Sequence, residues 1–164
     1  MAVTTSSHSA KVTLPEDDQL LITREFAAPK HLVYQAVTTP ELVKRWWNAK
    51  RGEVTVAEID LRVGGIWRFV MVTPDGFEVG FHGEYREIVP NERIVQTEVY
   101  EGAPEGAGGS VNTMTLSEVD GRTTMAVLCE YPSKEIRDMV IESGMEEGMQ
   151  DAYDLLEEVA ISLA

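Results

Sequence analysis

The chain has 164 residues, 43% of them hydrophobic and 26% charged. That is the composition of one folded domain, able to bury roughly 70% of the surface its unfolded form exposes, and it excludes a disordered chain. Fourteen Lys and Arg against 28 Asp and Glu leave a net charge of −14, and no basic stripe offsets the repulsion toward phosphates, so nucleic acid is excluded as a partner.

The opening stretch, residues 1–19, is rich in Ser, Thr, Asp and Glu without periodicity and is expected to be a flexible tail before a single domain over 20–164. No signal-peptide pattern and no apolar run near the ~18 residues needed to cross a bilayer occur, which points to a cytoplasmic domain without a membrane span. From Leu20 to Phe26 the alternation of Leu20, Ile22, Arg24 and Phe26 predicts a strand. Leu32, Val33, Ala36 and Val37 then fall on a helical stripe, and Thr39-Pro40-Glu41 restarts a second short helix with a capping hydroxyl and proline at its first position. That helix carries Trp46 and Trp47, which cannot both face the same way.

Strand chemistry follows. Val54, Val56 and Ile59 precede the pair Gly64-Gly65, which suits a turn or bulge, and Trp67, Phe69 and Met71 then share one face. Pro74-Asp75-Gly76 turns the chain into a strand with Phe77, Val79, Phe81 and Tyr85 on one parity and His82, Glu84 and Arg86 on the other. Residues 93–100 and 111–116 read as a hairpin joined by the Gly-rich stretch 101–110, and Asp120-Gly121 turns into a last strand over 123–130. After a cap at Ser133, Met145, Met149, Ala152, Leu156, Val159 and Leu163 trace one apolar stripe, with Gly144 interrupting or bending the helix ahead of it. The order predicts an α+β domain in which a curled antiparallel sheet wraps a long C-terminal helix, with two short helices after the first strand.

The segments Pro29-Lys30-His31-Leu32-Val33-Tyr34-Gln35-Ala36, Trp46-Trp47, Asp60-Leu61-Arg62-Val63-Gly64-Gly65, Pro74-Asp75-Gly76, residues 88–94 (IVPNERI) and residues 120–124 (DGRTT) resemble the SRPBCC, or START-like, superfamily. Within it they are most similar to the bacterial branch related to the C-terminal domain of the activator of the heat-shock-protein-90 ATPase. The resemblance spans about Leu20 to Leu163. It implies a helix-grip fold around a deep apolar cavity, in a superfamily whose members include ligand binders, carriers, cyclases and co-chaperone domains.

Candidate cavity residues are those on the apolar parities: Trp67, Phe69, Met71, Phe81, Tyr85, Val95 and Met125 from the sheet, and Met145, Met149, Tyr153 and Leu156 from the last helix. Large aromatics with adaptable methionines suit a pliable wall around a small hydrophobic or amphipathic molecule, the partner expected here. No catalytic residue, metal or cofactor is assigned: His8, His31 and His82 are scattered, and Cys129, the only cysteine, lacks a basic neighbour in sequence and reads as a small buried hydrophobe. The glycines Gly106, Gly108 and Gly109 lead into a strand rather than a helix, the wrong context for a phosphate loop, and read as a flexible hairpin connection able to gate a pocket mouth. The titratable groups within reach of a cavity are Tyr85, Tyr153, Glu84, His82 and Arg62, and His82 and Glu84 sit on the polar parity. Binding without catalysis is the expected function. A cyclase- or hydrolase-type enzyme and a chaperone-related interaction module are the alternatives, and an edge strand offers a surface for a homodimer.

Overall fold

The computed structural model describes residues 10–103 and 108–164. Eight antiparallel strands form one sheet in the order β1 (Lys11–Thr13), β2 (Gln19–Phe26), β8 (Arg122–Glu130), β7 (Ser110–Val119), β6 (Arg93–Tyr100), β5 (Glu78–Val89), β4 (Ile66–Val72) and β3 (Glu53–Ile59). Helices α1 (Lys30–Thr38) and α2 (Pro40–Trp46) follow β2, and α3 (Lys134–Glu142) and α4 (Met145–Ser162) close the described chain. This is the helix-grip arrangement, with the helices gathered on one face of the sheet.

The alternation that predicts β2 is realised residue by residue: Leu20, Ile22, Arg24 and Phe26 are buried and their neighbours half-buried. The turns fall where their residues permit. Asp120 and Gly121 both take positive φ, 52° and 76°, as a two-residue hairpin turn requires. Ser133 caps α3 by accepting from the Ile136 N–H at 3.2 Å. Thr39 stands at the start of α2 but its side chain makes no capping bond; Pro40 at the first helical position, Glu41 in the first turn and Lys44 and Arg45 in the last turn start and polarise that helix instead.

One element differs from the sequence expectation. The expected tail includes a strand: Lys11–Thr13 pairs with Thr23 to Leu21 of β2. Ala10, just before it, is buried against Leu20, Ile22 and Cys129. The Gln150 side chain of α4 exchanges two hydrogen bonds with the Ala10 backbone, at 2.9 and 2.8 Å. Composition cannot foresee a three-residue edge strand held by a contact 140 residues away. The interruption expected at Gly144 is present: α3 and α4 are separate helices there, and the Gly144 φ of +83° is left-handed and open to glycine at little cost. His8 and part of the 101–110 connection, residues 104–107, lie outside the described residues.

Reading the register across the sheet identifies the face that meets the helices. One row runs Ile22, Val127, Met114, Ile94 and Ile88; the next runs Leu20, Cys129, Asn112, Gln96 and Tyr85. Ile94, Tyr85, Trp67, Phe69, Leu116 and Met125 on this inner face form one buried cluster with Leu32, Val33 and Ala36 of α1, Val43 and Trp46 of α2, and Ala152, Leu156, Val159 and Ala160 of α4.

Candidate functional site

The inner face is not uniform along the sheet. At the β4 side it is aromatic, closed around Trp67 and Phe69, with Trp47 and Phe81 half-buried at its margin. Trp67 is 2% exposed and packs tilted against Phe69 at 5.0 Å between ring centroids, while Trp47 meets Phe69 and Phe81 edge-on at 5.4 and 5.8 Å. The indole of Trp67 reaches past Gly83 to donate to the Thr97 carbonyl at 3.1 Å. A Cβ at Gly83 would stand 1.8 Å from that carbonyl oxygen and 2.6 Å from the indole nitrogen, so only glycine admits the contact. Here the β5–β6 ladder opens: pairing is regular at Phe81 and His82, resumes at Tyr85, and Glu84 donates its N–H to the Thr97 hydroxyl instead. Trp46 turns the other way from Trp47 and donates to the Ala36 carbonyl at 3.0 Å.

In the middle of the sheet the inner face is polar. Glu98 and Gln96 of β6 stand opposite Ser110 and Asn112 of β7. The Ser110 hydroxyl donates to Asn112 Oδ1 at 2.8 Å, which leaves the Asn112 amide to donate to Glu98 Oε1 at 3.4 Å. Burial raises the Glu98 carboxyl above the ordinary carboxylate range, and the Asn112 amide opposes that rise. Three further groups share its surroundings. The Cys129 thiol is pushed up to about 12, by burial first and the Glu98 charge second, with its bond to Tyr131 opposing. The hydroxyls of Tyr131 and Tyr153 are raised as well, by burial first and then by the Cys129 and Glu98 charges. At neutral pH the thiol and both hydroxyls therefore keep their protons: they can donate hydrogen bonds but are not nucleophiles.

The second inner charge is Arg24. Its side chain is 0% exposed and is held by Asp154 and Glu157 of α4 at 2.9 and 3.0 Å, with Phe26 beneath it at 5.1 Å. Tyr153 lies edge-on to Phe26 at 6.1 Å and packs against both buried clusters, the large one and the smaller one of Ala10, Leu20, Ile22 and Cys129.

Of the residues singled out from sequence, Trp67, Phe69, Tyr85, Met125 and Leu156 belong to the large cluster, and Phe81 and Tyr153 pack on it half-buried. Met145 and Met149 pack with Tyr153 on the smaller cluster. Met71 shares the parity of Trp67 and Phe69 but belongs to neither cluster, lying against the backbone of Gly52. Val95 is a correction: it pairs with Thr113 and Glu87 on the outer face, because Ile94, Gln96 and Glu98 take the inner one. Sequence reasoning missed Glu98, Gln96, Asn112 and Ser110, since β6 carries apolar residues on both sides, Ile94 on the inner and Val95 and Val99 on the outer. It noted Arg24 on the inner parity without seeing its acidic partners on α4.

His82 lies on the outer face, opposite Arg68. Its Nδ1 lies 2.8 Å from Glu101, which also accepts two hydrogen bonds from the Arg68 guanidinium at 2.9 and 3.0 Å. The Arg68 hydrogen bonds hold the Glu101 carboxyl down at about 2, against desolvation and with help from His82. Glu84 and Arg62 are likewise in exposed ion pairs, with Arg86 and Asp60. Among the described residues no three His, Cys, Asp or Glu side chains are placed to hold a metal ion, and no helix is long and apolar enough to cross a membrane.

Residues 27–160 match the model of a family described as activator of Hsp90 ATPase homolog 1-like protein. No curated protein matches the sequence. Among solved structures, a crystal structure of a Rhodobacter sphaeroides protein is 28% identical, with a TM-score of 0.86 over 95% of this chain and 100% of that one. A Mycobacterium smegmatis protein is 27% identical, with a TM-score of 0.78 over 91% and 96% of the two chains. An Arthrobacter aurescens protein solved in solution is 25% identical, with a TM-score of 0.82 over 93% and 91%.

Proposed function

We propose, from the premise that the chain belongs to the family of activator of Hsp90 ATPase homolog 1-like proteins, that it binds a small hydrophobic or amphipathic molecule between the inner face of the sheet and α4. One observation carries this reading. Side chains on the covered inner face stay only half-buried in the middle of the sheet: Gln96, Glu98, Asn112, Met114, Val127, and Tyr153 above them. Their neighbours to either side are sealed, Leu20, Phe26 and Leu156 at 0% and Ile94 and Leu116 at 3%. A solid core leaves few voids larger than a water molecule, so exposure on the enclosed face is what an accessible space would produce.

Met145 and Met149 at the start of α4, with Phe81 and Tyr153, supply apolar wall; the Glu98–Asn112 pair and the tyrosine hydroxyls supply a few polar groups that orient a ligand. Native mass spectrometry of the purified protein, followed by denaturation, tests the reading. A stoichiometric apolar compound released on unfolding is the expected result; an empty protein that also refuses neutral hydrophobic probes would overturn it.

A cyclase- or hydrolase-type reaction in the same space is the second reading, favoured by the grouping of Glu98, Tyr131 and Tyr153. It predicts a new product mass when candidate compounds are incubated with the protein, whereas simple binding returns them unchanged.

A further inference from the structure

Glu98 is a carboxyl on the covered face of the sheet that accepts a 3.4 Å hydrogen bond from the Asn112 amide. Among the described residues no Lys, Arg or His side chain pairs with it. The other inner charge cannot serve, because Arg24 is held by Asp154 and Glu157. Ser110 fixes the orientation of the Asn112 amide toward Glu98, so the carboxyl is positioned rather than loose. A carboxylate on a covered face is ordinarily matched by a cation or by several donors; Glu98, half-buried beside half-buried apolar walls and with one long hydrogen bond, lacks its counter-charge.

Resting on the binding reading above, we infer that the ligand is an amphipathic amine: an apolar body against Met149, Tyr153 and Phe81, and a protonated nitrogen donating to Glu98. An acidic amphiphile such as a fatty acid would instead place a second carboxylate beside Glu98 in a water-poor setting, where like charges repel strongly.

The test uses the intact protein and a neutral fluorescent probe, Nile red, at pH 7.5, displaced by dodecylamine, dodecanol or dodecanoate below their micelle concentrations. Dodecylamine is expected to displace the probe about tenfold or more tightly than dodecanoate, the scale of one charge-assisted hydrogen bond. The near-isosteric variant Glu98→Gln is expected to erase that preference while still binding Nile red and dodecanol. An equal or better response to dodecanoate in the unaltered protein, or a preference that survives Glu98→Gln, would overturn the inference while leaving the binding site standing. No uptake of Nile red at all would overturn both.

Discussion

The aromatic end of the inner face and its polar middle are built by the same sheet under the same helices, yet they solve opposite problems. At the β4 side, Trp67, Phe69, Phe81 and Trp47 interlock, and even the indole N–H of Trp67 has its acceptor in Thr97. Across β6 and β7 the same layer presents Gln96, Glu98 and Asn112 half-buried beside a buried Ser110. On the proposed binding function, the first region concentrates stability and the second gives up packing for recognition, as strained or polar interior sites in folded proteins commonly do.

The sharpest way to break that contrast is to truncate the closed end. Trp67→Ala removes a buried side chain and its hydrogen bond and is expected to cost about 3–5 kcal/mol in urea unfolding. A loss below about 1 kcal/mol, within the range of ordinary surface changes, would mean the aromatic end is not the packed region.

A finer comparison uses two neighbours on the inner face of β7. Leu116 is 3% exposed within the large cluster, whereas Met114 packs half-buried at its margin. Leu116→Ala should cost about 2–5 kcal/mol and Met114→Ala distinctly less, because truncation beside an existing space opens little new cavity. Equal losses would place both in solid core.

The smallest effect is read in pH. Because Glu98 is raised in the folded state, the stability it contributes is fully present below the ordinary carboxylate value of 4.5 and is lost as pH rises through its higher folded value. Glu101 has the opposite sign: held at about 2 by Arg68, it stabilises above 4.5, and that contribution is lost as pH falls toward 2. Glu98→Gln should therefore remove a rise in stability on acidification, and Arg68→Gln should lower stability at neutral pH and flatten its fall between pH 4.5 and about 2. Chemical denaturation at a series of pH values measures both; parallel pH profiles for the variants and the unaltered protein would contradict these assignments.

The closed end was legible in the sequence because the large side chains of its strand, Trp67, Phe69 and Met71, share one parity and are buried. The polar middle was not legible in that way. On β6 apolar residues lie on both parities, Ile94 inside with Gln96 and Glu98 and Val95 and Val99 outside, so a rule that sends apolar residues inward does not fix the parity. The register could have been fixed from its neighbours, since Met114 and Leu116 share an inner parity with Asn112, but pairing across strands is decided by tertiary contacts that no single strand records. Arg24 was visible on the inner parity of β2, yet its ion pairs span 130 and 133 residues. Gly144 was legible as an interruption of helix, and its left-handed φ accounts for the separation of α3 from α4.

The central claim is that the middle of the inner face encloses accessible space, and filling that space tests it most directly. Val127 is half-buried on the inner face between the two clusters, so Val127→Phe adds a large side chain there without removing a polar partner. The account predicts stability within about 1 kcal/mol of the unaltered protein together with loss of Nile red binding. Destabilisation of about 1–3 kcal/mol or more, the usual penalty for overpacking a filled core, with no probe binding in either protein, would contradict it.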